Sequence, residues 1–311
     1  MQNMKIGFLT ACLPQPSLEA LVKWSAQQGF QMLELAAWPV DSSRDYQARQ
    51  IDATKFSKAD AERVKGIFAE NKMGISSLAY YDNNLDPDLN KRKAIHEHLK
   101  KVIDTAALLE VDLVGTFVGA RPDESPDENM KEIGHVFREF CEYANDRGVK
   151  LMIENCPMNN WQQFGLPGNY AYGPELWDAL FNEVPADNFG LNLDPSHLYW
   201  LGIDYLRCVK DYRSKIFHAH AKDTEILHEG KYGHGILGQR LNANPWKSGW
   251  WRYRMPGLGE INWQKFISTL QEVGYDFVLS IEHEDPVWEG SEEKVKTGLR
   301  LGLKHLSQFV I

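Results

Sequence analysis

The chain has 311 residues, 43% of them hydrophobic and 25% charged, with 34 basic against 43 acidic side chains for a net charge of −9. That is ordinary globular composition; it lacks both the basic surface that neutralises a phosphate backbone and the roughly 18-residue apolar run of a membrane span. Cys12, Cys141, Cys156 and Cys208 form no Cys-x-x-Cys pair, which argues against a disulfide framework or zinc knot and for a reducing cytoplasm.

Short β-rich runs alternate with helix-periodic stretches from end to end. Residues 5–9 read as a first strand rather than a signal peptide, followed by a helix over 17–28. A strand at 31–36 precedes a helix over 58–71, a strand at 75–80 precedes a helix over 89–109, and a fourth strand covers 111–118. The next helix has the clearest start: Ser125 caps it, Pro126 suits the first helical position, and Glu128 completes a capping box. Strands at 149–154, 189–193, 215–221 and 277–282 follow, separated by helices near 174–182, 205–212 and 262–273, with a last helix over 291–308. Eight strands, each followed by a helix and joined by no linker, predict an α/β (β/α)8 TIM barrel, a single domain over 1–311. An open doubly wound sheet is the alternative, but no Gly-rich fingerprint follows the first strand.

One connection is too long for a plain βα loop. The 36 residues 224–259, after the seventh strand, hold seven of the 24 glycines and Trp246, Trp250 and Trp251. They also carry Lys231, Arg240, Lys247, Arg252 and Arg254 against only Glu225 and Glu229. An aromatic, basic insertion in an acidic protein predicts a lid or binding surface, with a cap on the barrel or an interface between subunits as the plainer reading.

Barrel chemistry sits at the C-terminal strand ends, which here offer Glu154, Asp194, His220 and Glu282 on the fifth to eighth strands. Alternation turns Ile153, Leu193, Ala219 and Ile281 out toward the helices and sends Asn192, His218 and Ser280 inward, with Glu34 inward on the second strand. The intervals are 40, 26 and 62 residues, the last becoming 26 once the insertion is set aside, so the four can ring one site. An unpaired buried carboxylate costs several kcal/mol, roughly, and a divalent cation relieves it. Three carboxylates and an imidazole suit Mn²⁺ first, with Mg²⁺, Co²⁺ and Zn²⁺ as alternatives. His197, Lys222 and Asp223 lie close enough in sequence to meet a substrate, and Trp251, Arg252 and Arg254 offer a stacking or charged wall.

The stretches Ile153-Glu154-Asn155, Asp194-Pro195-Ser196-His197, His218-Ala219-His220-Ala221-Lys222-Asp223 and Ser280-Ile281-Glu282-His283 resemble the strand-end motifs of the xylose isomerase-like TIM barrels. Within them the closer likeness is to the sugar isomerase/epimerase branch, which includes ketohexose 3-epimerases and inosose-processing enzymes. The resemblance runs over nearly the whole chain. It implies Glu154, Asp194, His220 and Glu282 as metal ligands, Glu154 and Glu282 also as the acid/base pair, and His197 as a substrate contact. The implied enzyme acts on a small-molecule carbohydrate, with neither nucleic acid nor membrane as partner; a homo-oligomer is compatible with it.

A proton beside a carbonyl leaves readily only if the resulting enediolate is stabilised, which a chelated cation does. Two carboxylates flanking the sugar then give epimerisation, or isomerisation if the proton moves between adjacent carbons. A lyase or hydratase acting on 3-keto-glycosides would share the abstraction step and suit a large lid. Abasic-site endonucleases share the fold and an Asp-x-x-His element, but need histidines from early strands. Here the third and fourth strands end in Tyr80-Tyr81 and Thr116-Phe117-Val118. A non-catalytic sugar-binding protein would leave the carboxylate pair unexplained.

Overall fold

The computed structural model describes residues 4–39, 50–158, 167–241 and 248–310. Eight strands close a parallel barrel: β1 (Lys5–Leu9), β2 (Met32–Ala36), β3 (Gly74–Asn83), β4 (Leu113–Phe117), β5 (Lys150–Glu154), β6 (Phe189–Leu193), β7 (Ile216–Ala221) and β10 (Val278–Ile281). Neighbours in sequence are neighbours in the barrel, and β10 lies between β7 and β1. The helices are α1 (Leu18–Gln28), α2 (Lys58–Glu70), α3 (Leu89–Leu109), α4 (Pro126–Asn145), α5 (Pro174–Glu183), α6 (Pro195–Leu201), α7 (Tyr205–Asp211), α8 (His228–His234), α9 (Trp263–Glu272) and α10 (Glu292–Leu306). The strand residues expected to face the helices, Ile153, Leu193, Ala219 and Ile281, are fully buried. No helix among the described residues is long and apolar enough to cross a membrane.

Three local expectations change. The third strand continues to Asn83, with a register shift after Ala79. Its polar end is held because the Asn83 amide donates to Ala120 O (3.0 Å) and accepts from Ala120 N (3.0 Å), standing in for backbone pairing. At α4, Ser125 accepts from Glu128 N and Pro126 opens the helix as expected. The Glu128 carboxylate, however, pairs outward with Lys131 at 2.8 Å instead of turning back to close the box. The complete box belongs to α2, where Ser57 and Asp60 bond reciprocally. Finally, a short helix, α6, intervenes between β6 and α7. Asp194 accepts from Ser196 N at 2.7 Å and Pro195 takes the first position, an ordinary helix start.

The insertion folds as an antiparallel hairpin of β8 (Asp223–Ile226) and β9 (Trp251–Arg254), with α8 between the strands. Trp246 and Lys247 lie outside the described residues. Asp223 ties the stem to the barrel. Its carboxylate accepts from the amides of Thr224, Gly257 and Ile261 and from the Trp263 indole, all at 2.8–2.9 Å. Gly259 passes so close that a Cβ there would collide with the Asp223 carboxylate.

Candidate active site

The C-terminal strand ends converge two polar layers. The inner one fills the barrel beneath the mouth. Glu34 on β2 accepts from the Tyr81 hydroxyl (2.8 Å) and the Ser280 hydroxyl (2.9 Å), and lies 3.0 Å from His220 Nε2. The Asn192 amide donates to Tyr81 (2.8 Å) and its carbonyl faces His218 Nδ1 (2.9 Å), whose other nitrogen meets Ser76 at 3.2 Å. Tyr81 reaches Glu34 only because β4 carries Gly115, where a Cβ would strike the phenol. Burial holds His218 near 4, hence neutral. Burial alone would raise the Glu34 carboxyl, but His220 and His218 bring it down to about 2.

The outer layer is a ring of charge at the mouth. Glu154, Asp194, His197 and Glu282 each offer a donor atom, all within 4.8 Å of one another. His220 spans the two layers: Nε2 faces Glu34, while Nδ1 lies 3.0 Å from Glu282 and 3.4 Å from Glu154. Lys222, also buried, reaches into the ring, with Nζ 2.6 Å from Glu282, 3.1 Å from Glu284, 3.2 Å from Asp194 and 3.9 Å from Glu154. Burial opposes charge on every member. For Glu154 the bonds from His197 and His220 and the Lys222 ammonium win, and its carboxyl sits well below the usual range. Glu282 is also lowered: burial and Glu154 push it up, but Lys222 and His220 outweigh them. Against burial, the carboxylates lift His220 and Lys222 well above their ordinary values. His197 is pushed up to about 10, with burial opposing and Cys156 and Asp194 favouring its charge.

Hydrogen bonding distinguishes this ring from the inner layer. Asp194 Oδ2 and His220 Nδ1 are buried and have no well-formed hydrogen bond despite their charged neighbours. Nε2 meets Glu34 Oε2 at 3.0 Å and the Asn192 amide nitrogen at 2.8 Å, so the inner layer engages that nitrogen and Nδ1 is the one left to the ring. A buried carboxylate oxygen and an imidazole nitrogen that becomes a ligand on releasing its proton, both set among carboxylates, fit a hard or borderline divalent cation. The cluster of Glu34, His218 and His220 also has metal-like spacing. There, however, both Glu34 oxygens already accept hydrogen bonds and both His218 nitrogens are engaged.

The structure thus brings Glu154, Asp194, His220, Glu282, His197 and Lys222 together. Asp223 is spent on the hairpin stem. Alternation along β9 divides the rest: Arg252 pairs with Glu225 (2.7 Å), and Arg254 pairs with Glu225 (2.5 Å) and Asp285 (2.9 Å). On the other face Trp251 stacks on Trp200 of α6 (4.5 Å, 10°), and Tyr253 meets His197 Nδ1 at 2.8 Å. Sequence reading missed Tyr253; the period-2 pattern from Trp251 to Arg254 was the available signal. It also missed Asn155, whose side chain accepts from Asp194 N (2.7 Å) and donates to Asp194 O (2.9 Å), fixing one ring member.

A family profile described as xylose isomerase-like TIM barrel matches residues 22–306. The inosose isomerase of Halalkalibacterium halodurans is 28% identical over 251 residues, 76% of each chain. Among solved structures, the IOLI protein with a bound zinc atom superposes with a TM-score of 0.70 at 22% identity, covering 98% of this chain and 99% of that one. The D-psicose 3-epimerase of Clostridium cellulolyticum H10 gives 0.68 at 16%, covering 99% of both chains. The probable 3-DHS dehydratase AsbF of Bacillus anthracis gives 0.69 at 19%, covering 98% and 99%. At these identities the structural likeness establishes the fold.

Proposed function

The chain belongs to the xylose isomerase-like TIM barrel family, and on that premise we propose that it is a divalent-metal-dependent isomerase or epimerase of a sugar or sugar derivative. The observation that carries this reading is the under-bonded ring, above all Asp194 Oδ2 and His220 Nδ1, the latter 3.0 Å from Glu282 and 3.4 Å from Glu154. Glu154, Asp194, His220 and Glu282 would hold the ion, with Mn²⁺ first among Mn²⁺, Mg²⁺, Co²⁺ and Zn²⁺. When bound, such an ion polarises a carbonyl and stabilises the charge left by deprotonation of the neighbouring carbon.

The chain's own groups do the rest. Glu154 ends β5 and Glu282 directly follows β10, with β6 and β7 between them, so they flank the mouth. Glu154 and Glu282 are both held low, so either can take the substrate proton; the other returns one to the carbon only in the form that has itself been protonated, and the pair resets by exchanging its proton with solvent. Lys222 keeps Glu282 ionised, and His197 anchors Glu154. A substrate hydroxyl that takes the place of one of these carboxylates would accept from Lys222 or His197 in turn; the Trp251 and Tyr253 face of the hairpin closes that side of the mouth. Asp223, Arg252 and Arg254 hold the hairpin in shape.

Glu154→Gln or Glu282→Gln is expected to cut turnover by roughly 10²–10⁴-fold, with deuterium from D₂O entering beside the substrate carbonyl in the wild type. Asp194→Asn, which retains the α6 cap, should fold yet bind Mn²⁺ weakly. Turnover retained in both glutamine variants, or full metal occupancy in Asp194→Asn by elemental analysis, rejects the assignment. A second reading draws on the dehydratase neighbour and the hairpin over the mouth: a lyase acting on 3-keto-glycosides. The same abstraction at C2 would then expel the anomeric group, which leaves with a proton. Release of free aglycone from such a glycoside distinguishes the two.

A further inference from the structure

We propose that Tyr253, supplied by the insertion rather than the barrel, is a positioning residue for the carboxylate ring, acting through His197. The inference rests on the functional reading above. His197 Nε2 lies 3.2 Å from Glu154 and 3.4 Å from Asp194, both acceptors, so this nitrogen carries hydrogen and faces the ring. Cys156 also bonds this buried imidazole, and the plane of the ring is fixed by holding the far nitrogen as well. The Tyr253 hydroxyl holds it at 2.8 Å. A phenol donates to a neutral imidazole or accepts from an imidazolium, so it serves the ring in either charge state; phenylalanine serves it in neither. The same aromatic ring lies 4.5 Å from Lys222 Nζ, the other cation among the carboxylates.

Tyr253 is placed by a matched set of contacts. His197 and Trp200 lie one turn apart on α6, and Tyr253 and Trp251 lie two residues apart on one face of β9; the pairs meet as Tyr253–His197 and Trp251–Trp200. Opposite Tyr253 on β8, the Thr224 hydroxyl donates to Ser196 O at 2.9 Å, fastening the hairpin to α6 beside His197. A hairpin used only as a cover would have no need to bond the imidazole that bonds Glu154.

The test compares wild type with Tyr253→Phe, which keeps the ring and removes one oxygen. Histidine ¹⁵N resonances, with His197 assigned from His197→Gln, are recorded on the metal-free proteins, and Mn²⁺ binding is titrated by electron paramagnetic resonance. The expected result is a shifted His197 resonance and roughly tenfold weaker Mn²⁺ binding, the lower end for residues that orient ligands, with thermal unfolding still cooperative. An unmoved His197 resonance with Mn²⁺ affinity within twofold of wild type overturns the proposal. If wild type itself binds no Mn²⁺, the metal reading fails instead, and the His197 resonance alone decides the role of Tyr253.

Discussion

The inner polar layer and the ring at the mouth use the same residue types and share His220, yet they differ in how their hydrogen bonds close. Around Glu34, tyrosine, serine, asparagine and histidine interlock until both carboxylate oxygens and both His218 nitrogens are engaged. Around Glu154, Asp194 and Glu282 the partners are mostly other charges, and two buried atoms remain under-bonded. A closed buried network gives rigidity and a fixed orientation, whereas an open one stores binding capacity for something that arrives later. The inner layer therefore belongs to stability and to the aim of His220, and the mouth is where the proposed chemistry is placed.

The strongest way to break this distinction is Glu34→Ala. It leaves Tyr81, Ser280 and His220 Nε2 without their common acceptor, and removing one partner from a buried charged pair costs about 3–5 kcal/mol. Urea unfolding at pH 7 should show that loss, whereas Glu154→Gln should retain far more of the wild-type stability while losing turnover. Equal destabilisation by the two would mean the layers are one structural unit.

Much of this architecture was legible in the sequence, because strands buried on both faces and capped helices write themselves as local patterns. The four strand-end residues followed from barrel topology alone. What stayed hidden depends on convergence from distant segments: Glu34 meets His220 across 186 residues, and Lys222 threads back into the ring from the tail of β7. The Asp194-Pro195 start of α6 is hidden in the sequence because the same two residues also form the strand-end motif. In the insertion, residue type drew attention to the arginines, although strand alternation puts the aromatics on the α6 side.

Acid sharpens the comparison with a smaller effect. Glu34 has a folded pKa of about 2, below its unfolded value near 4.3. Its contribution, on the order of 3 kcal/mol, is thus complete above that unfolded value and disappears as pH falls toward 2. His98, buried behind β3 against Ala37 O (2.7 Å), belongs to neither layer. Burial lowers its pKa, so its contribution is complete above about pH 6.5 and declines below it. Unfolding free energy followed against pH should therefore fall in two windows. Glu34→Gln should shrink the lower window, which Glu154 and Glu282 share, and His98→Gln the upper one, which His218, His96 and His283 share. A lower window undiminished in Glu34→Gln would assign the acid sensitivity to the mouth.

The smallest expected effect comes from the outer face of the hairpin. Arg252 is partly exposed and pairs with Glu225, its cross-strand partner, at 2.7 Å. Such a pair contributes only about 0–1 kcal/mol, because solvent screens it and holding two long side chains costs entropy. Glu225 also keeps Arg254, which is anchored to the buried Asp285, so losing Arg252 strands no charge. Arg252→Ala should therefore shift unfolding by less than about 1 kcal/mol and leave Mn²⁺ affinity within twofold of wild type. Trp251, one position earlier and on the opposite face, stacks on the helix that carries His197; Trp251→Ala should weaken Mn²⁺ binding more than Arg252→Ala does. The reverse order, measured in parallel titrations, would move the working face of the insertion from its aromatics to its arginines.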